Sequence, residues 1–287
     1  MTGRRVSKAL LTLSPILDGQ PQRMFRAPGN ADANGNFVFP NVPRGTYLLE
    51  ATGGSYDVGS VTIATPTEPF ALAIRPLPTA RGRVTFDGGM PPEIKPQLRQ
   101  LLLHGLVRFQ PPGTFNEAIR FMRYGVVEPD WTFQIPGLSS AGVIRTDEEF
   151  MGWTLLRVVA QGRDITDVPY DSQSGDIDGI EVVLTRRVGG ITGTVHDGDK
   201  IADPVAVVVF GADGNSPAYL SRTLRAVQPQ AGAFTVDRLL PGRYFAVAVR
   251  PGTPRFSAED LAALRSVATP VVVSEGADTA IKLTIVK

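Results

Sequence analysis

The chain has 287 residues, room for about two domains at roughly 150 residues each, and its 29 Lys+Arg against 28 Asp+Glu leave a formal charge of +1. That balance supplies no global field for nucleic acid or an anionic membrane, and the absence of cysteine excludes disulfides, thiolate nucleophiles and thiolate-held metals. Hydrophobic residues at 43% suffice for packed cores, while 30 Gly and 24 Pro cut the chain into short elements, which favours strands and turns over long helices.

In chain order, Arg4, Arg5 and Lys8 precede an apolar stretch at 9–13 that weakly imitates an export signal. Pro15 and Asp18 cut it short and no small-x-small site follows, so a strand is expected over 5–13, with no export signal and no anchor in this chain. The apolar runs, such as 205–210, are too short to span a bilayer. Asn34-Gly35-Asn36-Phe37-Val38-Phe39 puts a small turn ahead of an aromatic-x-aromatic strand; Gly45 and Tyr47 follow at eight and ten residues from Phe37. The same pattern returns as Ala231-Gly232-Ala233-Phe234-Thr235-Val236, with Gly242 and Tyr244 at the same two distances from Phe234. A blurred middle copy reads Asp130-Trp131-Thr132-Phe133, with its next strand starting near Gly152-Trp153.

The ends of the copies also match. Period-2 strands are expected at 70–74, 180–184 and 281–285. The first two lead into Arg81-Gly82-Arg83-Val84-Thr85-Phe86-Asp87-Gly88 and Gly190-Ile191-Thr192-Gly193-Thr194-Val195-His196-Asp197-Gly198. Boundaries therefore fall near 79 and 187, giving repeats at 1–78, 79–186 and 187–287. Each reads as short strands with frequent turns, the pattern of an all-β, Greek-key β-sandwich of Ig-like or prealbumin-like type. A period-2 strand has one apolar face, and two sheets face to face bury it across about 10 Å. Phe37, Phe39, Tyr47, Trp131, Phe133, Trp153, Phe234 and Tyr244 are the expected core. Tyr47 and Tyr244 each follow a Gly turn, where a phenol can bury its ring and still bond nearby backbone. Short helices are expected at 258–266, behind Ser257 as N-cap with Asp260 three residues on, and at 96–103. The first repeat has no counterpart of 81–88 or 190–198; its opening strand is missing, either through truncation or because another chain supplies it. Such an edge invites strand addition and self-association.

The stretches 34–51 and 232–249 resemble the strand–turn–strand core of the carboxypeptidase regulatory-like domain, a prealbumin-like, starch-binding-like sandwich. Residues 162–169, 177–184, 191–197 and 256–273 are similar to envelope proteins of soil bacteria that carry this module in tandem. The resemblance implies an accessory, non-catalytic module, usually exported, and places the chain outside the cell or in the envelope. It transfers no binding residue, because the shared motif consists of Gly, Pro and core aromatics. Carbohydrate binding enters only through the wider fold class.

Candidates for chemistry are few. His104 and His196 lie in different repeats, no Gly-x-Ser-x-Gly elbow and no His-Glu-x-x-His is present, and His196 beside Asp197 and Asp199 reads as a turn. Asp32-Ala33-Asn34-Gly35-Asn36 has the oxygen content of a calcium loop but also the composition of a hairpin turn. Asp171, Asp176 and Asp178 share one loop and form the better metal candidate. Gly189–Gly193 lacks the Lys-Ser/Thr of a phosphate loop and precedes a strand. A Lys–Asn isopeptide bond is not expected, since the last strand has Lys282 and no Asn, and Lys8 has only Asn30, Asn34, Asn36 and Asn41 nearby. Tyr56, Tyr170, Tyr219 and Phe256 are the loop aromatics that could stack on a sugar; Arg222, Arg225 and Arg243 could form a basic patch. The sequence reading is a spacer or interaction module without cofactor, with a polysaccharide, another envelope protein or a second copy as partner, and with carbohydrate binding or strand-complemented self-assembly as alternatives.

Overall fold

A computed structural model describes residues 6–53, 57–95, 104–110, 122–138, 141–146, 150–170, 175–201, 205–212, 223–250 and 258–286. The chain forms two compact units, one of residues 1–79 with 136–139, the other of 80–135 with 140–287. The structure is all-β apart from short helical turns.

In the first unit one sheet contains β1 (Leu10–Leu17), β2 (Gln20–Pro21), β3 (Ala27–Asn30), β4 (Gly45–Gly53), β5 (Asp57–Thr65) and β6 (Arg75–Pro76). The order is β2-β1-β4-β5-β6, with β3 also on β1 and every pairing antiparallel. The first strand starts later than its sequence suggests, after Lys8 turns the chain at φ 59°. Alternate residues Leu11, Leu13, Leu49 and Ala51 point to one face and are buried there with Ala9 and Ala31. Among the described residues, what covers that face is not a second sheet. Phe37, Phe39, Val42, Leu72 and Ile74 lie against it, each only partly buried.

The second unit begins with an eight-stranded sheet: β7 (Ala80–Asp87), β8 (His104–Gln110), β9 (Arg123–Val127), β10 (Thr132–Ile135), β11 (Val143–Thr146), β12 (Thr154–Ala160), β13 (Arg163–Asp164) and β14 (Ile177–Thr185), ordered β11-β8-β9-β10-β7-β14-β12-β13. Its two ends are tied together. Gly142 and Tyr170 exchange backbone hydrogen bonds of 3.0 and 2.7 Å. Arg145 on β11 donates to the Thr166 carbonyl at 2.5 Å and to Asp167 at 2.6 Å, beyond β13.

The remaining strands are β15 (Gly189–Asp197), β16 (Lys200–Ile201), β17 (Ala206–Gly211), β18 (Arg225–Val227), β19 (Ala233–Leu239), β20 (Gly242–Val249), β21 (Thr269–Val273) and β22 (Asp278–Thr284). One sheet holds β16, β15, β19 and β22; the other runs β18-β17-β20-β21. Ile191, Val195, Phe234, Val236 and Leu283 from the first meet Val207, Val209, Tyr244, Ala246 and Val271 from the second in a fully buried core. The apolar runs at 205–210 and 245–249 are continuous because both faces are covered. Val208, Phe210, Val247 and Val249 point the other way, where Leu261 and Leu264 of helix α1 (Ala258–Arg265) lie on them. That helix matches the expected one at 258–266. The expected helix at 96–103 lies outside the described residues.

Strand register corrects three expectations. First, 37–39 and 70–74 are not strands. A strand needs a hydrogen-bonded neighbour, and among the described residues the first unit lacks the one that β7 and β15 supply elsewhere. Second, Phe133, not Trp131, is the counterpart of Phe234: Phe133 pairs with Gly82 as Phe234 pairs with Gly193. Trp131 instead occupies the turn position of Gly232, and both have positive φ, 67° and 76°. Third, Phe37, Tyr47 and Trp131 are only half-buried, whereas Trp153, Phe234 and Tyr244 are core. Trp131 sits at a turn with its ring edge-on to Phe86 at 4.7 Å; Phe37 and Tyr47 belong to a core with one sheet.

Candidate functional site

The polar groups singled out in the sequence are engaged in holding the chain. Asp32 accepts hydrogen bonds from the backbone N–H of Asn34 and Asn36, both at 2.8 Å, and from the Asn36 side chain at 3.2 Å. Its oxygens thus brace a turn. Asp176 and Asp178 share the guanidinium of Arg81, at 2.9 and 3.2 Å, and the cation between these carboxylates is therefore an arginine. The two carboxylates in turn raise the pKa of Arg81. Asp171, the third member of that candidate, lies outside the described residues. Arg81 and its neighbours Arg83, Thr132, Gly179 and Glu181 line a shallow groove on the sheet. Among the described residues no three His, Asp or Glu side chains are grouped to hold a metal ion.

Tyr170 is half-buried, and its hydroxyl donates to the Gly175 carbonyl. Tyr56, Tyr219, Phe256 and Arg222 lie outside the described residues. His196 bonds Thr194 at 3.0 Å, and Asp197 pairs with Arg250 at 3.2 Å. The Arg145 network was not anticipated. Its guanidinium is buried, takes the Ile144 and Thr166 carbonyls and Asp167, and Thr166 in turn bonds Asp164 and the Val158 N–H. The signal was present as a lone arginine within 143–146, all of it buried, facing an Asp-x-x-Asp loop.

The feature that stands apart is the uncovered side of the first unit. Its turn geometry matches that of the C-terminal sandwich at two positions, although Ala231 has positive φ and its counterpart Asn34 does not. Gly35 and Gly232 have φ of 78° and 76°, and Asn41 and Arg238 have φ of 57° and 55°. Tyr47 donates to the Pro43 carbonyl at 3.2 Å, and Tyr244 to the Leu240 carbonyl at 2.8 Å, each four residues back. Residues 35–47 therefore share turn positions and the tyrosine bond with 232–244, but 36–42 is not a strand, whereas 233–239 is one and lies beside another. In the sandwich that strand is β15. Val195 donates to Gly232 at 2.8 Å, and alternation along the antiparallel ladder turns the N–H groups of Phe234 and Val236 toward Gly193 and Ile191. In the first unit the counterparts are Phe37 and Phe39, and among the described residues their N–H groups have no backbone partner. The other bank is 70–74, where Phe70, Leu72 and Ile74 alternate with exposed Ala71 and Ala73. The Phe37 and Phe70 rings meet edge-on at 5.9 Å. Val38 is 80% exposed and Phe70 37%.

No protein-family model and no curated protein matches the sequence. Among solved structures, a streptococcal ancillary pilin is similar at 11% identity and a TM-score of 0.29, covering 99% of this chain and 93% of that one. A minor pilin of Streptococcus agalactiae is similar at 12% identity and a TM-score of 0.29, over 72% and 94% of the two chains. The major pilin subunit of Bacillus cereus gives 12% identity and a TM-score of 0.24, over 97% and 94%. Likeness at that level carries no argument about function. Among the described residues no helix is long and apolar enough to cross a membrane.

Proposed function

We propose that the chain is a non-catalytic tandem β-sandwich protein of the bacterial envelope or exterior, acting as a spacer and interaction module. The observation that carries this reading is the use made of its polar side chains. Asp32, Arg81, Arg145, Asp167, Tyr170 and Asp176 brace turns or join strands, which is structural work. The likeness of 34–51 and 232–249 to the carboxypeptidase regulatory-like module supports the same reading, as does the short link at 186–188 within the second unit.

The absence of native cysteine makes the test direct. Spin labels on Thr62→Cys and Val272→Cys, both on exposed strand faces, report one distance distribution. A single narrow distribution is expected of a spacer, together with antibody labelling of the chain on intact cells. A broad distribution, or a chain accessible only after lysis, contradicts the reading.

A further inference from the structure

We propose that residues 186–188 form a fixed joint that makes the eight-stranded sheet and the C-terminal sandwich move as one body, with Arg186 and Arg187 as its two arms. The inference rests on the spacer reading above and locates the stiffness of the second unit in named side chains.

The joint lies between Thr185, the last residue of β14, and Gly189, the first of β15. It is held from both sides. Toward the eight-stranded sheet, Arg186 lays its guanidinium over the Trp153 ring, 4.7 Å from the centroid, and donates to the Met151 carbonyl at 3.2 Å. Trp153 is a firm anchor, since it is buried and packs edge-on against Phe86 at 4.7 Å. The backbone N–H of Arg187 donates to the Thr185 hydroxyl at 3.0 Å, and that hydroxyl donates to Asp87 at 3.3 Å. Toward the sandwich, the N–H of Gly276 donates to the Val188 carbonyl at 2.8 Å, and that of Gly190 to the Ala277 carbonyl at 3.1 Å. The approach there is so close that a Cβ on Gly189 would stand 2.1 Å from the Ser274 carbonyl oxygen. The end of the link is thus fastened to the turn between β21 and β22.

Arg187 spans the two sides. Its Nε lies 3.9 Å from Asp87, at the end of β7, and 3.9 Å from Glu275, in the turn between β21 and β22. The two arms differ in kind. Arg187, Asp87 and Glu275 are all solvent-accessible side chains, so dissolved salt screens their attraction. Arg186 rests on the face of a buried ring and holds a carbonyl, where screening is weaker. Removing Arg187 or adding salt therefore loosens the joint in part, and removing both arginines loosens it further.

The full chain carries spin labels on Arg157→Cys of β12 and Val272→Cys of β21, both exposed and both outside the joint. One narrow distance distribution is expected. Arg187→Gln should broaden it, and so should about 1 M salt, where the screening length is about 3 Å. The double variant Arg186→Ala/Arg187→Gln should spread toward about 10 Å, the span that a flexible three-residue linker explores. Both arginines are exposed, so neither change opens a core. A broad distribution without substitution, or a double variant as narrow as the unsubstituted joint, overturns the proposal. So does salt that broadens the Arg187→Gln chain as much as the unsubstituted one, since the ionic arm would then lie elsewhere. The two readings fail separately. A broad Thr62/Val272 distribution beside a narrow Arg157/Val272 one breaks the spacer reading and keeps the joint. An unmoved double variant beside a narrow Thr62/Val272 distribution breaks the joint alone.

Discussion

The first unit and the C-terminal sandwich share two turn positions, tyrosine bonds and one antiparallel sheet, and differ in the other: the sandwich has β15, β19 and β22 there, while in the first unit 37–39 and 70–74 are not strands. The consequence is seen in the aromatics. Phe234, Val236 and Tyr244 are 5%, 2% and 4% exposed, while Phe37, Phe39 and Tyr47 at the same positions stay half-buried. Burial at these positions is thus a property of the partner sheet and not of the residues. Local chemistry shapes the turn, and the neighbouring strand converts it into a core.

This comparison can be strained by mutation. Truncating Phe234 to Ala should destabilise the sandwich by about 3–5 kcal/mol, the cost of a large core deletion. Phe37→Ala should cost the first unit less than half of that, because its ring has less burial to lose. Denaturant titrations read through site-resolved exchange separate the two units. Equal losses would mean that the first unit has a closed core. Arg145→Ala removes the clamp between the ends of the eight-stranded sheet and leaves Asp167 without its buried cation, with an expected loss of about 3 kcal/mol. Exchange should quicken in β11 and 163–168 first. Tyr244→Phe removes a hydrogen bond made in a buried setting and should cost about 1 kcal/mol; Tyr47→Phe, where the bond is longer and exposed, should cost less.

The smallest effect concerns acid. Bonds from the Thr132 side chain, then from its backbone N–H, hold Asp130 below the ordinary carboxylate range. Its folded pKa is depressed, so its contribution is complete above the unfolded value and fades as the pH falls through the folded one. A carboxyl titration by NMR should show Asp130 ionised below the normal midpoint, and Thr132→Val should return it upward. No change on that substitution would remove the assigned cause.

Much of the fold was legible because its signals are local. Gly35 and Gly232, Tyr47 and Tyr244, and the alternation through 180–184 each declare a turn, a strand start or a strand by chemistry within a few residues. Trp131 misled for the opposite reason. Its aromatic-x-aromatic spacing suggests alignment with Phe37, but the positive φ that the turn demands falls on the tryptophan, and only the pairing of Phe133 with Gly82 reveals this. Residues 70–74 have a strand pattern without a strand, since pairing depends on a segment that pattern cannot supply. Arg145 was passed over because a lone arginine in an apolar stretch becomes meaningful only when Thr166 and Asp167 are brought to it from across the sheet.

The most direct test is amide exchange on the full chain alone, comparing Phe37 and Phe39 with Phe234 and Val236. The account predicts rapid exchange for the first pair, near that of unpaired backbone, and strong protection for the second. Comparable protection of both pairs would show that the first unit already has its strand.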